Sequence, residues 1–202
     1  LWTHARLLRD LTWREISGRY RGSWLGITWS VLTPLMMLAV YTFVFSVVFG
    51  ARWSASAVPA GKFDFALFVF VGVLLHAIVA EAITRAPSLV LGNANYVKKV
   101  IFPLELLPAT VVGAAAFHAA IALVILLAGV VVLGGGLSWT VLWLPLLMLP
   151  LLVLSLGLAW GLAALGVFLR DTAQVTGVLA SVLMFLAPVF YPVVALPESM
   201  RG

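Results

Sequence analysis

Apolar residues run along this chain in long blocks, broken by short stretches where arginine, lysine, asparagine and glycine collect. Five blocks, over about 25–49, 65–84, 106–133, 141–169 and 173–195, reach the ~20 residues that a helix needs to cross a hydrocarbon core about 30 Å thick. A membrane β-barrel would instead alternate polar and apolar residues over segments of about ten. The stretch VVGAAAFHAAIALVILLAGVVVL, Val111 to Leu133, has no such alternation and reads as helix. Pro145 and Pro150, near the start of the fourth block, predict a tilt or kink there.

Two shorter segments break the pattern. Ahead of the first block, Leu7, Leu8 and Leu11 share one helical face while Arg6, Arg9 and Asp10 lie elsewhere, which predicts an amphipathic helix at the membrane interface within 1–24. Trp13 falls on its polar side, and an ordinary basic lead-in is the competing reading. GRYRGSWLGITWSVLTP follows, with Gly18, Gly22, Gly26 and Ser30 in a row. The row predicts close approach by another helix where the surface helix turns into the first span; a flexible glycine-rich boundary is the alternative.

The second segment, LGNANYVKKVIFPLELLPA from Leu91 to Ala109, is too apolar for a free loop and too interrupted to span. Asn93 and Asn95 are expected to cap or turn the chain, YVKKVIF fits two turns of amphipathic helix, and Pro103 stops it before Pro108 marks the next span. Val97, Ile101 and Phe102 beside Lys98 and Lys99 suit a protein-docking surface, apolar anchors with a charged rim; a helix lying on the membrane is the alternative. Gly134 to Gly136, with Ser138 and Trp139, read as a turn between the third and fourth spans.

Composition agrees with a membrane chain: 64% of the 202 residues are hydrophobic, 9% are charged, and the mean hydropathy is +1.18, which excludes a soluble domain. In that setting the net charge of +5 sets orientation rather than pointing to nucleic acid. Of the twelve lysines and arginines, Arg6, Arg9, Arg14, Arg19, Arg21, Arg85, Lys98, Lys99 and Arg170 fall on one side of the spans and Arg52, Lys62 and Arg201 on the other. The amino terminus is therefore expected in the cytoplasm. Five spans leave Gly202 outside, with a sixth span expected beyond it, so the chain reads as a fragment; no cleaved leader is expected. There is no cysteine, hence no disulfide and no thiolate site.

Candidate chemistry is sparse. The one Gly-Lys pair, Gly61 and Lys62, precedes Phe63 and lacks the frame of a phosphate-binding loop, so no ATP site is expected in this chain. His4, His76 and His118 are too scattered for a metal site. Glu81 and Arg85 have the spacing of an intrahelical ion pair, while His76 and His118 suit hydrogen-bonded packing positions. Gly157 and Gly161 allow close helix packing, a common spacing that carries little weight. Tyr41, Phe45, Phe68, Trp160, Phe185 and Tyr191 are candidate path-lining aromatics. A membrane enzyme would need acid, base or metal groups converging at one depth, and nothing in the spacing suggests it; a scaffold subunit is the third class.

These pieces resemble the permease subunit of type-2 ABC exporters of lipid-linked polysaccharide, the group that exports O-antigen, capsule and teichoic acid. The resemblance rests on RYRGSWLGITWSVLTPL at the first span, GNANYVKKVIFPLELLP between spans two and three, and FLRDT between four and five. It implies a single all-α polytopic membrane domain over 1–202, incomplete at its carboxyl end. That domain comprises an interfacial helix, five spans and a coupling helix within 91–105. The family's coupling helix, which docks on a cytoplasmic ABC ATPase, matches Tyr96, Val97, Lys98, Lys99, Ile101, Phe102, Pro103 and Glu105. Arg170 and Asp171 match a second contact. Arg14, Arg19, Arg21 and Trp24 would lie where a polyprenyl-diphosphate headgroup approaches. The resemblance also implies a second copy of the chain as partner, contact with membrane lipids, and the bacterial inner membrane as location. ATP and magnesium would be bound by the ATPase and no cofactor by this chain. A type-2 exporter of drugs or other lipids is the runner-up.

Overall fold

The computed structural model describes residues 4–44, 64–99, 102–132, 139, 143–187 and 189, with backbone alone for 64 and 97–99. Among them the chain is helical and has no strand. α1 covers Ala5–Arg19; α2 covers Trp29–Tyr41, with a 3-10 turn Gly26–Thr28 before it and a wider turn after it, so that the apolar stretch runs Gly26–Val44. α3 covers Asp64–Arg85 and continues through the turn Ala86–Ser88 into α4, Leu89–Gly92. α5, Ala94–Lys99, is short. α6 covers Leu106–Val132, α7 Leu144–Phe168 and α8 Thr172–Leu186.

Four of these stretches are long and apolar enough to cross a bilayer: Gly26–Val44, Phe65–Gly92, Leu106–Val132 and Leu144–Phe168. This is an all-α polytopic membrane fold. The expected second and third spans coincide with α3 and α6 to within a residue or two. In the first, residues 45–49 lie outside the described residues, as do 141 and 142 in the fourth. α8, Thr172–Leu186, covers 173–186 of the expected fifth, and most of the rest of that block also lies outside. Pro34 and Pro150 sit within α2 and α7, each removing one N–H from its helix ladder.

α3 is the central helix, packed against α2, α6, α7 and α8. Toward its amino end the core is bulky: Phe70, Leu74 and Ile78 meet Leu38, Leu126 and Met148. Toward its carboxyl end the core shrinks to Ala82, Ala86, Val111, Ala159 and Ala163, and backbones close up. Gly166 of α7 is the closest case, since a Cβ there would overlap the backbone of Pro87. Outward surfaces of α2, α7 and α8 show Leu35, Val40, Val153, Leu154 and Val178, an apolar exterior suited to lipid.

The glycine row does something other than the sequence predicts. A Cβ on Gly18, Gly22 or Gly26 would meet nothing within 4 Å, so no helix approaches there. Gly22 and Gly26 instead have φ of +82° and +52°, left-handed backbone that side chains resist, and they turn the chain between α1 and α2. Gly157 and Gly161 also face open space.

Candidate functional site: an ion-pair cluster and an arginine pocket beneath the first helix

α1 is seated on protein. Ile16 is 3% exposed, Leu8, Leu11 and Thr12 are half-buried, and the helix packs along α6. Gly113 makes this possible: a Cβ there would lie 2.9 Å from Thr12 Cγ2. Thr12 keeps its hydroxyl satisfied by donating to the Leu8 carbonyl at 2.8 Å. Trp13, on the polar side of the wheel, meets Phe117 edge to face at 6.3 Å. α6 thus explains the one residue that spoils the amphipathic pattern. Leu7 stays exposed, and Trp24 in the following turn is 98% exposed, a position open to a headgroup layer.

The carboxyl half of α1 enters a charge cluster. Arg19 is ion-paired to Glu81 of α3 and reaches the second carboxylate oxygen at 3.4 Å. Arg85 is ion-paired to Glu15 and lies 3.5 Å from Glu81, the i,i+4 contact that the spacing predicts. His118 of α6 completes the group. Its Nδ1 lies 3.3 Å from Arg19 Nη1 and 3.7 Å from Glu81 Oε2, and its Nε2 lies 3.0 Å from the Tyr20 hydroxyl. Burial holds that phenol above its ordinary pKa; Arg19 pulls against this and Glu81 adds to it, so the hydroxyl stays protonated. His118 is accordingly a hydrogen-bonded packing residue. The sequence exposes Glu81 and His118 as polar residues in apolar helices but gives no sign of their partner, because Arg19 lies 62 and 99 positions away from them.

Two cavities flank the cluster. One, of about 370 Å³, lies among α2, α3 and α6; its walls include Thr33, Met37, Phe70, Leu74 and Ala77, and its polar end is Arg19, Tyr20, Glu81 and His118. The other, of about 390 Å³, lies between α1 and α4–α5, with Arg14, Glu15, Arg19, Arg21, Arg85 and Tyr96 in its wall. Arg14 donates to the Tyr96 hydroxyl at 2.9 Å, joining α1 to α5 directly. Tyr96 in turn stacks on Phe102, ring centres 4.6 Å apart, so the two aromatics close the turn beyond α5.

That turn differs in detail from the expected one. Asn93 does not cap α5; its amide donates to the Leu89 carbonyl at 2.9 Å and closes α4. The helix begins at Ala94 and is described to Lys99, while Phe102 to Glu105 are not helical. The Pro103 carbonyl accepts the Leu106 N–H at 3.0 Å and starts α6. Side chains of Val97, Lys98 and Lys99, and Ile101 altogether, lie outside the described residues. Glu105 is exposed, and its backbone carbonyl accepts from Trp160 Nε1 at 2.9 Å. Trp160 thereby ties α7 to the root of α6. Arg170 and Asp171 are exposed at the α7–α8 corner.

Tyr41, Phe68, Trp160 and Phe185 stand on four different helices and line neither cavity. Tyr41 packs beside the bulky core, and Phe68 and Phe185 are exposed. Phe45 and Tyr191 lie outside the described residues.

Helices of this kind, with a polar cluster at one end and lipid-suited flanks, match a known family along nearly their whole length. The ABC-2 type transporter family matches residues 6–202. The chain belongs to that family. As an ABC-2 protein it is a membrane transport subunit rather than a catalyst. It is 30% identical over 203 residues to the O-antigen export system permease protein RfbA of Myxococcus xanthus, a match covering 100% of this chain and 75% of the relative. Two proteins of the same name from Klebsiella pneumoniae are 28% and 27% identical over 106 residues, 52% of this chain and 38% of theirs.

Proposed function

We propose that this ABC-2 protein is the permease subunit of an exporter that moves an O-antigen-like, lipid-linked polysaccharide across the bacterial inner membrane, powered by a separate cytoplasmic ATPase. The observation that carries this reading is the likeness to the Myxococcus permease along the entire chain. The fold supports it: α4–α5 hangs between two spans as a short helical segment, joined to α1 through Arg14 and Tyr96, with α4 packed on α7. A force applied to α5 reaches α1 through the Arg14–Tyr96 contact.

In this reading Tyr96 to Glu105 dock on the ATPase, Arg170 and Asp171 make a second contact, and two copies of the chain face each other. The end carrying α1 and α5 is cytoplasmic. Arg14, Arg19, Arg21 and Trp24 meet the diphosphate headgroup. ATP and magnesium belong to the partner. The test is restoration of O-antigen display in a strain deleted for its own permease. A Lys98→Glu, Lys99→Glu double variant is expected to insert normally, to lose co-purification with the ATPase and to abolish display; full display by that variant refutes the coupling assignment.

A further inference from the structure

α7 meets the segment between α3 and α6 at both of its ends. At the entry, Gly166 lies against the backbone of Pro87: a Cβ there would come within 2.1 Å of the Pro87 carbonyl oxygen, so two main chains touch with no side chain between them. Ala86 and Leu89 continue the contact, buried in one cluster with Ala159 and Ala163 of α7. At the exit, further back along α7, Trp160 Nε1 donates to the Glu105 carbonyl at 2.9 Å. Between the two ends, Tyr96 stacks on Phe102 and closes the turn. α1 meets the same segment through side chains, Arg14 on Tyr96. Backbone packed on backbone has no rotamers to absorb a displacement, and close-packed interiors compress little and transmit strain. α7 ends at Phe168, and the corner with Arg170 and Asp171 follows almost at once.

We propose that Trp160 is a positioning residue for energy coupling. With Gly166 it fixes both ends of the segment that carries α5 to the carboxyl-terminal third of α7. α5 and the Arg170–Asp171 corner then move as one body, and α7 is the span that the ATPase drives. The proposal rests on the export reading above and adds the span that receives the motion. It also gives Trp160 a role other than path lining, since the one polar atom of its side chain is spent on a main-chain carbonyl.

Trp160→Phe tests it, because phenylalanine keeps an aromatic ring and removes the N–H. The full-length permease should still co-purify with the ATPase and support ATP hydrolysis as before, while O-antigen display in cells falls about threefold to tenfold, the size of one lost hydrogen bond. Unchanged display overturns the proposal. So does a fall in display matched by an equal fall in hydrolysis or in ATPase association, since Trp160 would then shape the docking surface itself. Distances supply a readout that a merely stabilising residue would not move. Asn95 on α5 and Phe168 at the end of α7 are both exposed, and the chain has no cysteine, so an Asn95→Cys, Phe168→Cys variant takes two spin labels. With one copy labelled, their separation is expected to be the same in the ATP-free and ATP-bound complexes, and to change on ATP binding once Trp160→Phe is added. A separation that changes while Trp160 is present, or one that stays fixed in the Trp160→Phe chain, overturns the proposal. Failure of the export reading shows elsewhere, as absent O-antigen display by the unaltered chain, and leaves these distances standing.

Discussion

Glu81 and Arg19 illustrate what a charge inside an apolar helix requires. Glu81 is 15% exposed at its side chain and Arg19 34%, so neither is fully hydrated and each depends on the other. Replacing Glu81 by Ala strands Arg19, while Arg85 keeps Glu15; a loss of roughly 2 kcal/mol is expected, below the range for fully buried pairs because Arg19 remains partly wet. Chemical denaturation in micelles measures it, and an Arg19→Leu, Glu81→Leu double variant should lose less than the sum of the two single changes. A sum that adds fully would mean that the pair is not coupled. Reading the sequence finds Glu81, Arg85 and the i,i+4 contact, since that geometry is local. It misses Arg19, His118 and Tyr20 as one unit, because only the packing of α1 across α6 brings them together.

Close packing of elements is decided at a few backbone positions. Gly166→Ala should destabilise the bundle by about 1–3 kcal/mol, as overpacking does, because its Cβ collides with rigid backbone at Pro87. Gly157→Ala, one helix face away in open space, should be neutral within about 0.5 kcal/mol. The pair of measurements is decisive, since equal effects would contradict the α7 packing. Glycine spacing in the sequence points to the wrong members of the set: the Gly18 row and the Gly157–Gly161 pair are regular, whereas Gly113 and Gly166 stand alone in the pattern. Their importance lies in which helix lies opposite, a tertiary fact. Element boundaries were far more legible. α3 and α6 are bounded by abrupt changes from apolar to polar residues, which bilayer thickness imposes directly on sequence. α5 was legible in place, and Asn93 turns the chain before it as expected, while its side chain serves the helix behind.

At the scale of the whole molecule, the distribution of lysine and arginine predicts which end faces the cytoplasm. The absence of cysteine makes the test clean. Single variants Asn95→Cys and Trp139→Cys, both at exposed positions, should react with an impermeant maleimide from opposite sides: Trp139→Cys in intact spheroplasts, Asn95→Cys only after the membrane is opened. Labelling of both from the same side would refute the proposed topology. The seating of α1 on α6 has one more consequence, for how the protein is made. α1 leaves the ribosome before α3 and α6, so Glu15 and Arg19 emerge when Arg85, Glu81 and His118 do not yet exist. Until those arrive, Glu15 and Arg19 lack the partners they have in the folded protein, and Glu81 later emerges needing the arginine made before it. Gly113, the groove that receives Thr12, comes later still. α1, made before the helices that receive it, is therefore among the last to be locked in place.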